Sequence, residues 1–216
     1  MKLTKTKGKG LFLQLDFKDV PDWYVNTIRR LVMSEVPVMA IESVEISRND
    51  GVLYDEIVSH RLGLVPLTTD LDSYVLPTKE ERESGEYLAQ SSCKLTIDVK
   101  GPCVVLAKDL SSNDPKVKPV YPDMPITKLL EGQELRLIAT AVLGLGRDHA
   151  KWSAGHAHFK HTNLDDTTEV AGELPAEFTL SIESWGQLKP NDVVTTAIER
   201  HTTMLKEFDE LLSKVE

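Results

Sequence analysis

Cysteine is scarce in this chain: two residues in 216, too few for a disulfide framework or a four-cysteine zinc or iron–sulfur site. Cys93 and Cys103 flank Lys100-Gly101-Pro102, which the pattern predicts as a turn joining two paired strands. A turn centred there sets Cys93 opposite Lys108, so two reduced thiols are expected. Aromatic residues are few, at 6%, and basic residues are outnumbered, 25 against 34 acidic ones, for a formal net charge of -9. That balance argues against a freestanding, non-specific nucleic-acid binder. No apolar run approaches the ~20 residues of a membrane span, and MKLTKTKGKG is not followed by the apolar core of a signal peptide. A soluble, cytoplasmic protein is expected. Internal repeats and low-complexity tracts are absent, and charged residues at 27% with apolar ones at 41% exclude global disorder.

What is present is clear periodicity. Leu11, Leu13, Leu15 and Phe17 alternate with polar residues, a half-buried strand. Between Pro21 and Pro37, Tyr24, Val25, Ile28, Leu31, Val32 and Val36 follow helical spacing, with Asp22 at the positive end and Pro37 as the stop. Residues 38–48 return to an extended pattern around Met39, Ile41, Val44 and Ile46. A short helix is predicted over Asp55 to Leu62, then loop over 68–92. Strands follow at 93–100, 134–145 and near 156–162, with the proline-rich stretch 113–125 extended. A last strand, Phe178 to Ile182, leads to a long helix. Its stripe runs Val194, Ala197, Ile198, His201, Leu205, Phe208, Leu212 and Val215. About 24 helical residues span roughly 36 Å. That exceeds a sheet of such short strands, so part of the stripe is expected to meet another chain. The layout is α+β: a discontinuous first domain with a β-rich middle, about 46–172, inserted into it.

No motif carries catalysis. His149, His156, His158 and His161 cluster in sequence, and His156 and His158 share a face of their strand. His161 has opposite parity and no HExxH pairing supports a metal. The expectation is a solvent-facing, histidine-rich strand, with incidental metal binding left open. GLGRDH lacks both the helix of a dinucleotide site and a Gly-Lys-Ser/Thr ending, so it reads as a hairpin connection. Ser59 and His60 point apart on a helix and make no nucleophile pair. Three polar clusters remain: Asn26, Arg29 and Arg30; His60 and Arg61; and the loop Arg147, Asp148, His149 and Lys151. Guanidinium forks suit carboxylates and carbonyls of another protein, so these together predict a docking surface.

NTIRRLVMSEVPVMAIESVEI (26–46) and YDEIVSHRLGLVPLTT (54–69) closely resemble the two signatures of the alpha-like assembly subunits of DNA-directed RNA polymerase. VKPVYPDMPITKLLEGQ (117–133) and GRDHAKWSAG (146–155) look like the archaeal branch of that family, similar also to the eukaryotic third-largest subunit and to the bacterial alpha N-terminal domain. The resemblance implies a non-catalytic scaffold with no catalytic, cofactor or metal residues of its own. Its dimerisation domain would be residues 1–45 with 173–216, around an inserted domain at 46–172. It implies a heterodimer with the small subunit L, involving Ile28, Leu31, Ile198, His201, Leu205, Phe208 and Leu212. Subunits N and P would join that platform. The second-largest catalytic subunit would dock on Asn26, Arg29, Arg30, His60, Arg61, Arg147, His149, Lys151 and Trp152.

The chain departs from many archaeal relatives in one respect. Their cysteine-bearing ferredoxin-like insertion, which can hold an iron–sulfur cluster, is replaced by a short stretch at about 162–174 without cysteine, so no cluster is expected. Ala154 stands where relatives often have proline, and Thr27 where they often have alanine. The C-terminal DNA-binding domain of bacterial alpha is not expected either. Two rival readings keep their own signatures. A metallohydrolase on the histidine strand would carry stoichiometric zinc, and a self-pairing binding module would form a symmetric homodimer through the last helix.

Overall fold

The computed structural model describes residues 2–161 and 177–214; the cysteine-free stretch at 162–174 and Val215 lie outside them. The chain divides into two units, Met1–Val36 with Ser153–Glu216 and Pro37–Trp152. Both joints differ from the expected 45/46 and 172/173. Strand Val38–Asn49 belongs to the second unit because its full length pairs with Glu134–Gly144. Strand Gly155–His161 belongs to the first because it pairs with Glu177–Ser184.

The first unit contains strands β1 (Lys2–Lys9) and β2 (Phe12–Lys18) and helix α1 (Asp22–Ser34). Strands β9 (Gly155–His161) and β10 (Glu177–Ser184) and helix α4 (Pro190–Leu212) complete it. Its sheet is antiparallel in the order β1-β2-β10-β9. The predicted alternation holds in register: Leu13, Leu15 and Phe17 pair with Ile182, Leu180 and Phe178, and all six are buried. Helix α1 packs on β9, β10 and α4, closing that face with Val25, Ile28, Leu31 and Val32. Strand β1 was not anticipated, since KLTKTKGK has no apolar alternation. It is an edge strand joined to β2 by a tight turn at Gly10, whose φ of 58° suits glycine, and its lysines discourage further strand pairing.

The second unit contains β3 (Val38–Asn49), α2 (Asp55–Gly63), α3 (Lys79–Ser84), β4 (Ser92–Lys100), β5 (Cys103–Leu106), β6 (Ser111–Ser112), β7 (Pro125–Leu129) and β8 (Glu134–Gly144). One antiparallel sheet has the order β3-β8-β4-β6; β5 and β7 form a second. Ladders such as Ile46, Leu137 and Ile97 cross the larger sheet, and Val58 and Leu62 of α2 join its core.

Three expectations are corrected here. Residues 100–102 do not join a hairpin: β4 pairs with β8 and β6, whereas β5 pairs with β7. Gly101 carries the chain so close to Leu130 that a Cβ would lie 2.1 Å from its carbonyl oxygen. GLGRDH is not a hairpin either, because β8 and β9 belong to different sheets. The segment 68–92 is not all loop. Thr78 and Glu81 form a capping box that starts α3, and Leu71, Tyr74 and Leu76 pack on the core.

Candidate docking site

The sequence pattern of β3 changes phase between Ile41 and Val44, and the backbone explains it. Ile41 pairs with Ala141 and Ser43 with Thr140, leaving Glu42 as the extra residue of a bulge. The bulge turns Glu42 outward, where its carboxylate receives the Lys151 ammonium, which also donates to the Ile41 carbonyl.

Lys151 arrives on the segment after β8, which folds back through bonds from the Asp148 N–H to the Leu145 carbonyl and the Trp152 N–H to the His149 carbonyl. The Lys151 N–H donates to His149 Nδ1 at 3.0 Å. Trp152 anchors the turn: it is buried, its Nε1–H donates to the Val142 carbonyl at 3.2 Å, and its ring lies against Gly144. A Cβ on Gly144 would lie 2.2 Å from that ring. The Lys151 ammonium sits 4.3 Å from the indole centroid, a cation–π contact that adds to the carboxylate pair. Arg82 donates to Asp148 at 2.9 Å from the α3 side.

Helix α2 supplies the opposite wall. Asp55 and Glu56 occupy its first turn and His60 and Arg61 its last, each matching the sign of the helix dipole there. Val58 and Leu62 face the core, which leaves Ser59, His60 and Gly63 on the outer side. Ile41, Glu42, Ser59, His60, Gly63, Leu64, His149 and Lys151 together line a cavity of about 230 Å³. Leu64 stands 50% exposed at its rim. The result is a shallow polar basin with an apolar lip. Its one close acid–base pair, Glu42 with Lys151, is a closed ion pair.

The expected contact residues therefore separate. His60, His149 and Lys151 meet in one basin. Arg61 does not join them, because its Nη1 donates to the Ile126 carbonyl at 2.8 Å. It lines a different groove of about 360 Å³ with Val52, Leu53, Val104, Pro125, Thr127, Lys128 and Leu130. Trp152 is no surface contact; it is the buried post on which the loop is hung. Arg147 stands at the outer end of that loop with its side chain 50% exposed. Glu42 and Leu64 were missed, and the phase slip at Ile41–Val44 is the signal that marks Glu42.

In the first unit, Arg29 donates Nε–H and Nη2–H to Asn26 Oδ1 at 3.1 and 2.9 Å, one turn apart on α1, while Arg30 is exposed. Ile28 and Leu31 are corrected: both are buried within this unit and present no dimer surface. Helix α4 behaves differently along its length. Pro190, Val193 and Ala197 are buried, so Val193, rather than the expected Val194, packs inward. Beyond them Ile198, Leu205, Phe208, Leu211 and Leu212 are 46–60% exposed, with His201 half-buried. Positions 198, 201, 205, 208 and 212 repeat at alternating three- and four-residue steps, the spacing of a coiled-coil seam.

Among the described residues no group of three or more His, Cys, Asp or Glu is placed to hold a metal, and no helix is long and apolar enough to cross a membrane.

Comparison with known proteins adds a family. The RNA polymerase Rpb3/RpoA insert domain matches residues 44–166. The DNA-directed RNA polymerase subunit Rpo3 of Methanosphaera stadtmanae is 41% identical over 194 residues, covering 85% of this chain and 70% of that protein. The Rpo3 of Methanothermobacter thermautotrophicus is 51% identical over 130 residues, covering 60% and 49%. That of Pyrococcus furiosus is 39% identical over 166 residues, covering 77% and 57%. The alignments thus span from about half to 70% of these relatives' own length.

Proposed function

The chain belongs to the alpha-like Rpb3/RpoA family of RNA polymerase subunits, and from that membership we propose that it is the assembly scaffold of an archaeal, cytoplasmic DNA-directed RNA polymerase. It carries no catalytic residue and needs no cofactor for this role. Its contribution to nucleotidyl transfer is to gather the chains that form the active centre. The observation that carries this reading is the second half of α4, a seam of Ile198, Leu205, Phe208 and Leu212 without cover from its own unit. A contiguous apolar stripe of this kind marks an interface, and its occupant is the helix of the small subunit L.

The pair then offers the platform for subunits N and P and for the second-largest subunit. On this chain the large subunit meets Asn26, Arg29 and Arg30 on α1 and, separately, the basin of Glu42, His60, His149 and Lys151. The net charge of -9 fits a surface that meets protein rather than nucleic acid.

The test is a gentle affinity pull-down of the tagged chain from its own cells, with partners weighed by mass spectrometry. A stoichiometric set with two very large chains and several small ones supports the scaffold. Recovery of the chain alone, or as a symmetric homodimer, overturns it.

A further inference from the structure

Two of the clustered histidines form a pair that the scaffold role does not use. Strand β9 lies at the edge of its sheet, and His156 and His158, two residues apart, project from the same face, both exposed. Their ring centroids stand 5.8 Å apart with the planes inclined at 32°. A metal bound to one nitrogen of each ring, at a Zn–N distance of about 2.0–2.1 Å, holds the centroids about 5.2 Å apart at a tetrahedral angle. The pair is therefore within a small side-chain rotation of chelating geometry.

The surroundings favour one end of the pair. Glu183 of β10 is the cross-strand partner of His156, exposed on the same face, with Cβ atoms of such partners about 4.5–5.5 Å apart. It supplies negative charge beside the site. Lys160 follows on the other side of His158, so a cation is drawn toward the His156 end. His161 is excluded by parity and by its ring, which packs 4.6 Å from that of Phe178.

We propose that His156 and His158 form an exchangeable surface site for a late divalent transition metal, with water completing the coordination shell. Imidazole donors suit Cu²⁺, Ni²⁺ and Zn²⁺, and Cu²⁺ binds most tightly of the three. The site carries no reaction. Bound metal clips two positions of an edge strand and so stiffens the edge of the first unit's sheet. Because the folded strand binds and the unfolded chain holds the two rings in no fixed geometry, the metal raises thermal stability, with the logarithm of its concentration once that exceeds the dissociation constant.

The test uses the full chain freed of any affinity tag and stripped with a chelator, titrated with NiCl₂ by calorimetry. One saturable site per chain is expected, with a dissociation constant in the micromolar range and tighter binding on repeating with CuCl₂. His156→Ala and His158→Ala should each weaken binding about tenfold or more, as loss of half a two-ligand chelate requires. His149→Ala, in the other unit, should bind as the parent does. Melting curves without metal should coincide for parent and variants, because both side chains are exposed; His158→Gln provides a second, milder variant to check this. Absence of a saturable site in the parent, or retention of full affinity in the double variant His156→Ala/His158→Ala, overturns the proposal. The result is independent of whether subunit L is bound, so it does not stand or fall with the polymerase assignment.

Discussion

The two ends of α4 are one helix with two solutions for apolar surface. From Pro190 to Ala197 the helix buries its stripe against its own sheet, through Val193 and Ala197. From Ile198 to Leu212 the apolar stripe continues but stands in water, with Phe208 60% exposed. Intrinsic helix propensity does not explain the burial, since the buried half holds the weaker helix formers Val, Thr, Asn and Asp and the exposed half the stronger Leu, Met, Lys, Arg and Glu. What differs is the reach of the sheet: a helix of 23 residues is about 35 Å long, and the four strands beneath run out first. The second unit shows a different economy: α2 is only nine residues long, and it encloses Val58 and Leu62 fully while leaving Ile57 45% exposed. Packing within the chain decides stability; the uncovered helix end is the surface proposed for association.

That contrast makes ordered predictions. The largest effect belongs to the enclosed core. Leu137→Ala in β8 should cost about 3 kcal/mol of stability, read as a lower denaturation midpoint, and a loss below ~1 kcal/mol would mean the core collapses around the gap. Next comes Phe208→Ala, expected to weaken the complex with subunit L by about 2 kcal/mol, roughly thirtyfold, while leaving the melting temperature of the free chain unchanged. Equal affinity in the variant would remove Phe208 from the seam. Arg30→Ala should leave that heterodimer intact and reduce large-subunit recruitment by about 1 kcal/mol; loss of the heterodimer instead would put α1 at the wrong interface.

The smallest effect is electrostatic and confined to the second unit. Asp70 accepts from Lys116 at 2.6 Å and from the Ser73 hydroxyl, and the lysine, with the hydroxyl second, holds its carboxyl at about 2 against an ordinary 3.8. The folded state thus prefers the charged form. Its stabilisation is fully present above pH about 4 and fades as the pH falls toward 2. Asp70→Asn should flatten that part of the acid-unfolding curve, and an identical curve would mean the ion pair is fully screened by solvent.

Much of the architecture was legible because periodicity reports burial. Leu13, Leu15 and Phe17 in β2 and the stripe of α1 are core in the structure as in the pattern. Strand β1 was not legible, since an edge strand rich in lysine buries nothing that alternates. Helix α3 was missed although Thr78 and Glu81 spell its capping box, a signal that needs no apolar residue at all. The basin was half legible. His60, His149 and Lys151 were found as polar residues on ordered motifs, yet spacing alone could not tell that Arg61, one residue from His60, turns to a different groove. Nor could it tell that Trp152 is wedged against Gly144. Neighbours in sequence diverge by about 100° per residue on a helix, and only the surrounding strands decide which direction meets what.

The bulge at Glu42 also bears on how this chain can change. A strand tolerates substitution at an exposed position far better than a change in length, because each residue added or removed swaps its two faces. Here one surplus residue keeps Met39 and Ile41 on the same side as Val44 and Ile46. Deleting Glu42 alone would close the bulge and cost the carboxylate that meets Lys151, yet leave Ile41 with Ala141 and Ser43 with Thr140 as successive pairs of one ladder. Deleting a paired neighbour such as Ala40 would swap faces. Deletion of Glu42 should therefore be tolerated better among functional copies than deletion of its paired neighbours Ala40 or Ile41. An insertion–deletion scan of residues 38–49 would reveal that asymmetry directly.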